Sequence, residues 1–202
     1  MNIFVLDENP IRAAEMMCDK HIPKMVVESA QMMASALRRH GVTDERMPLT
    51  KSGTPYKGGY QHHPCTVWAG DTRMNFMWLA THALALCKEY EQRFHNRPRD
   101  PLRSEWPDGP TKEHACRQPI LHMIASMHNI PEGDKPTINT PFALAMPDEF
   151  KVDILGRKWD TSEEHGGADD AVKAYRRYYH SKTFAKWEKG TPAPDWWMGV
   201  KV

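Results

Sequence analysis

The chain has 202 residues, 40% of them hydrophobic and 26% charged, with 7 Trp, the balance of one folded domain rather than of a disordered or membrane-embedded chain. Its 27 Lys and Arg against 26 Asp and Glu leave a formal charge of +1, so it lacks the strongly basic balance of most duplex-binding domains. Any nucleic-acid site is therefore a local patch, and 11 His keep proton-transfer and metal chemistry open.

From the N-terminus, "NIFVL" reads as a short strand or as an arm tucked against the core. "MNIFVLDENP" has neither the basic start nor the long apolar run of a signal peptide, and no run approaches the roughly 20 apolar residues that span a bilayer. The expected setting is cytoplasmic, in a bacterium or a phage-infected host, with no membrane partner. "DENPIRAAEMMC" predicts a short first helix with Asn9 as N-cap and Pro10 at its first position. A second helix is predicted from about Asp19 or Lys20, with Pro23 in its tolerant first turn, to about His40, stopping at Gly41.

That second helix is nearly all apolar, yet His21, Lys24, Glu28, Gln31, Ser35 and Arg38 recur in it at the spacing that returns to one helical face. A polar stripe is commonly a solvated face. Here the stripe is narrow and its flanks are apolar, so a carboxylate at its centre needs a partner. Glu28 is within helical reach of Lys24 and Gln31, which suits a general acid/base or a stabiliser of a developing cation.

Residues 42–63 shift to Thr, Gly, Pro, Lys and Tyr and end in "YKGGYQHHPC", a long loop of the kind that is usually functional. A single amphipathic helix is predicted from Thr66 to about His95, with Trp68, Phe76, Trp78, Leu79, Ala83, Leu86 and Tyr90 facing the core. Residues 98–110 form a polar, Pro-rich connection. A shorter helix interrupted near Pro119 follows, then a Pro-rich stretch with a turn around residues 142–146 and a mobile acidic loop at "RKWDTSEEHGGADD". The last helix, "DAVKAYRRYYHSKTFAKWEKG", is capped by Asp169 or Asp170. The fold class is mainly α: one compact domain with long Pro-rich loops and little or no β. Residues 1–97 form its helical core, 98–168 a loop-rich insertion and 169–202 a basic, aromatic tail.

Cys18, Cys65, Cys87 and Cys116 are scattered, with no zinc-finger spacing, and read as reduced packing thiols. His62 and His63 could line a cleft with Glu28; adjacent histidines diverge, so no metal site is expected from them, and no Gly-rich phosphate loop is present. In the tail, Tyr175, Tyr178, Tyr179, Phe184 and Trp187 interleave with Lys173, Arg176, Arg177, Lys182 and Lys186. This is the composition of a nucleic-acid surface, or equally of a terminal helix whose aromatics pack inward, and both can hold at once.

"D-K-H" at residues 19–21, with Glu28 seven residues after the His on an early helix, resembles the pyrimidine-dimer DNA glycosylases of the phage endonuclease V type. The "Y-x-H-H-P" turn at residues 60–64, "CKEYEQRF" closing the long helix and the tail "AYRRYYHSKTFAKW" point the same way. The resemblance covers the first hundred residues loosely and the tail more loosely.

It implies a DNA glycosylase, monomeric and without a cofactor, that acts on duplex DNA with a flipped nucleotide. The implied nucleophile is an α-amino group, whose ordinary pKa of about 7.7–8.0 leaves free amine at neutral pH. Carried over by position, Glu28 is the catalytic carboxylate with His21 beside it. Lys20, Lys24, Gln31, His62, His63, Arg176, Arg177, Tyr178, Tyr179 and Lys182 then bind substrate or DNA. The family exposes the amine of a small second residue after the initiator Met is removed; Asn2 is a poor substrate for that removal, so the implied amine belongs to Met1. Alternatives are an enzyme on free nucleotides, with or without metal assistance, and a non-catalytic phage or bacterial binding protein.

Overall fold

The computed structural model describes residues 1–94, 113–135, 139–153, 155–159 and 167–200. Among them the regular structure is helical: α1 (Pro10–Glu15), α2 (His21–Arg39), α3 (Pro64–Asp71), α4 (Arg73–Phe94), α5 (Arg117–Ala125) and α6 (Gly167–Tyr179), with single 3-10 turns at Asp44–Arg46, Met127–Asn129 and Asp148–Phe150. β structure among these residues is limited to two isolated bridges, Leu49 with Pro55 and Val152 with Lys158. The mainly α expectation holds. The Pro-rich connection at 98–110 and residues 160–166 of the acidic loop lie outside the described residues.

α1 and α2 form where local chemistry demands. The Asn9 side chain accepts from the backbone N–H groups of Ile11 and Arg12, and Pro10 occupies the first helical position. α2 ends in a Schellman motif: Gly41 N donates to Arg38 O, Val42 N donates to Leu37 O, and Gly41 supplies the φ of +82°. Most of the circumference of α2 is buried, against α3, α4 and α5.

The N-terminal segment is an arm, not a strand. Ile3, Phe4, Val5 and Leu6 are buried in the core. Asn2 fixes its start: Oδ1 accepts from the N–H groups of Ile3 and Phe4, and Nδ2 donates to Ala145 O at 2.7 Å.

Four expectations are corrected. The long helix is two, because Thr72 is extended (φ −140°, ψ 157°) and its hydroxyl accepts from Asn75 N, capping α4. Asn75 then locks the joint, donating to Trp68 O and Thr140 Oγ1 and accepting from Thr140 N. Pro119 does not interrupt α5; it lies in the first turn, where a missing N–H costs nothing. Residues 142–146 take no helical turn, and the turn falls instead at Asp148–Phe150. Finally, α6 starts at Gly167, which puts Asp169 and Asp170 in its first turn rather than at its cap, and it ends at Tyr179, so residues 180–200 wrap the core as irregular chain.

α4 ends in a buried charge network. Arg93, fully enclosed, pairs with Asp19 at 3.1 Å and Glu89 at 2.8 Å and donates to the carbonyls of Met17 and Glu15. Asp19 also accepts from the backbone N–H groups of Glu188 and Lys189 and thereby pins the tail to the α1–α2 turn.

Candidate active site

The arm and α2 bring the first residue and Glu28 together. The Met1 amine lies 3.5 Å from Glu28 Oε2, and Lys24 Nζ lies 3.5 Å from Oε1. The Glu28 side chain is 14% exposed, so its charge is partly walled off and held by two cations. Chain termini ordinarily fray; this one is held because four consecutive apolar residues behind it are buried and Asn2 is bonded on both sides of its amide.

Beside this pair opens a cleft of about 500 Å³ walled by residues 57–63 and Ser35. Its shape depends on a close approach between α2 and the loop. Ser35 Oγ donates to Gly59 O and accepts from Gly59 N, and a Cβ on Gly58 (φ +78°) would sit 2.3 Å from that same oxygen. Gly59 lies against Gln31 and the end of the Met1 side chain, and His63, which lines the cleft, feels the charges of both the Met1 amine and Glu28. His63 caps α3, its Nδ1 accepting from Cys65 N, which leaves the neutral ring protonated at Nε2. Partial burial lowers its pKa, with a further push from the Met1 amine, against an opposing pull from Glu28. Tyr60 stands at the rim, 72% exposed, with φ +51°.

The sequence-predicted residues divide into three groups. Met1, Glu28, Lys24, Gln31, His62 and His63 gather at the amine or the cleft. Lys20, Lys24 and Lys182 surround His21 on a neighbouring face, with Lys20 4.6 Å from the ring of the half-exposed Phe184 and Lys182 3.4 Å from the ring of Tyr178.

The third group is structural and corrects the expectation. His21 is buried rather than open beside Glu28: Tyr179 OH lies 2.7 Å from its Nδ1, and its ring stacks on Phe4 at 4.6 Å. Burial first, then Lys24, Lys182 and Lys20, push its pKa down to about 3, so it is a neutral packing ring at working pH. Tyr179 is fully buried and accepts from Cys18 N. Arg176 holds the arm through Leu6 O and Arg177 holds Val152 O, and both remain partly exposed. Asn2 orients Met1 and offers no amine of its own.

Sequence reasoning missed Lys57, Gly58, Tyr60 and Gln61 as cleft walls, although the Gly-Gly and Pro-rich loop carried the signal. Among the described residues no group of three or more His, Cys, Asp or Glu could hold a metal ion, and no helix is long and apolar enough to cross a membrane. All four cysteines are buried and unpaired.

The fold is small and helical, and near its cleft it pairs the Met1 amine with the Glu28 carboxylate. The family model for pyrimidine dimer DNA glycosylase matches residues 1–101, the half of the chain that carries the arm, Glu28 and the cleft loop. The chain belongs to that family, and by family it is a DNA-repair glycosylase. No significant match was found among curated proteins or among solved structures.

Proposed function

We propose that the protein excises a damaged or modified base from DNA through the α-amino group of residue 1 and then cleaves the strand as an abasic-site lyase. The observation that carries this reading is the Met1 amine held 3.5 Å from a largely enclosed Glu28 carboxylate beside a cleft of nucleotide size. The target nucleotide turns out of the duplex into the cleft, which puts C1′ within reach of the amine. The nitrogen lone pair forms a bond to C1′ as the glycosidic bond breaks, its electron pair leaving with the base. The proton released by the amine passes to Glu28. Glu28 returns that proton to O4′ as the ring opens to the Schiff base and, ionised again, takes a C2′ proton as the 3′-phosphate leaves; water then adds at C1′ and releases the enzyme amine and an aldehyde. Glu28 has a second task, because its charge stabilises the cationic sugar that develops before the nitrogen bond is complete. Lys20, Lys24 and Lys182 track the strand on the neighbouring face.

Borohydride reduction on abasic-site duplex tests the amine. A covalent adduct is expected, with the label mapping to the N-terminal peptide, and acetylation of residue 1 should abolish it. An adduct that survives acetylation overturns the mechanism. Mass spectrometry of the intact chain reads at the same time whether residue 1 is Met with a free amine. Glu28→Gln should lower turnover by about 10²–10⁴-fold with thermal stability nearly unchanged.

A further inference from the structure

A second cavity, of about 260 Å³, adjoins the cleft and shares Ser35, Lys57, Gln61 and His62 with it. Its lining includes the cations Arg38, Arg39 and Lys57, and no carboxylate lines it. Asp44, which pairs with Arg38 and Lys57, and Asp71, which pairs with Arg39, both lie outside that lining. Each cation is thus already paired with a carboxylate, and Arg38 and Arg39 also donate to Tyr56 O and Val67 O, so a phosphate would have to compete for or share them. Thr66 also lines it, 2% exposed, and its Oγ1 has no hydrogen-bond partner among the described residues. A buried hydroxyl is ordinarily satisfied, so this one is a donor without an acceptor on a residue of the cavity wall. Gln61 and His62 add exposed donors at the shared wall.

We infer that this cavity is a phosphate subsite, with Thr66 Oγ1 donating to one phosphate oxygen and Lys57 and Arg39 neutralising its charge. The volume takes a phosphate with part of its attached sugar. On the glycosylase reading, the phosphate is the diester flanking the nucleotide in the cleft. The same chemistry would hold the 5′-phosphate of a free nucleotide, and experiment separates the two sources.

Duplexes carrying a stable abasic analogue, with one neutral methylphosphonate placed in turn at each linkage around it, report the phosphate through binding and need no turnover. For the wild type, one flanking linkage should cost about 10-fold in affinity when neutralised. In Thr66→Val and in Lys57→Gln that penalty should shrink to less than about 3-fold. Lys57→Gln should also lower the slope of log affinity against log salt by about 1. Thr66→Val keeps the side-chain shape and removes an unpartnered hydroxyl, so it should melt no lower than wild type, which separates lost binding from lost folding. A flat methylphosphonate scan with tight, Lys57-dependent binding of thymidine 5′-monophosphate over thymidine keeps the subsite and assigns it to a free nucleotide. A flat scan without that preference overturns the subsite. A Schiff base that fails to form while the linkage-specific penalty persists overturns the amine mechanism and leaves the subsite standing.

Discussion

His21 and Glu28 stand on the same face of α2 two turns apart, yet only one of them meets the N-terminal amine. Phe4, Phe184 and Tyr179 close over His21, while Glu28 meets the amine and a long, exposed Lys24. The buried ring carries a stability consequence. Its pKa is pushed down to about 3, and burial pushes that of His82, which lies against Trp78, down to about 4. Both lie below the ordinary value of 6.5, so below pH 6.5 the unfolded chain binds protons that the folded chain refuses. Stability should be full above pH 6.5 and should fall with pH down to about 3–4, each ring costing about 2 kcal/mol by pH 5. Urea midpoints at pH 7.5 and 5 measure this. In His21→Leu, whatever its absolute stability, the difference between the two pH values should shrink by about 2 kcal/mol; an unchanged difference would mean that His21 titrates freely in the folded state.

Among the elements, α4 depends most on a single side chain. Arg93 satisfies two carboxylates and two carbonyls at the point where α1, α2 and the tail converge. Removing one partner of a buried ion pair strands the others, so Arg93→Met should cost about 3–5 kcal/mol in a urea or thermal titration. It should also loosen residues 186–191, because Asp19, which anchors them, loses its cation; faster amide exchange there reads the effect. Asp19 opens the "D-K-H" triplet that carried the family resemblance, and its observed work is to strap the tail. Helix ends were legible in proportion to how local their caps are. Asn9 and Gly41 act within a few residues and were read correctly, whereas Thr72 reads as an ordinary helical residue until Asn75 is seen bridging Trp68 and Thr140.

In the whole molecule, the N-terminal arm runs through the core so that the first residue arrives at a fixed point. Met1 packs toward Gly59 and pairs with Glu28, so residues added ahead of it would turn its amine into an amide and move the free amine away from the carboxylate. A chain extended by a few residues before Met1 should therefore lose borohydride trapping entirely. Its melting temperature should stay within about 3 °C of the untagged chain, since the packed arm behind residue 1 is unchanged. Trapping that persists in the extended chain would show that the amine of residue 1 is dispensable.

By itself the amino-acid sequence determined the helical class, the Asn9 cap of α1, the approximate span of α2 and its stop at Gly41, the polar seam with Glu28 at its centre and the resemblance to the family. Each of these rests on residue types and spacings within a few turns of chain, where backbone hydrogen bonding and helical periodicity act. Only the tertiary structure decided which seam residues are buried and which face the amine. It also buried Tyr179, tied Arg176 and Arg177 to backbone carbonyls and set a second, carboxylate-free cavity beside the cleft. Those outcomes depend on what packs opposite each side chain, from segments up to 170 residues away in sequence.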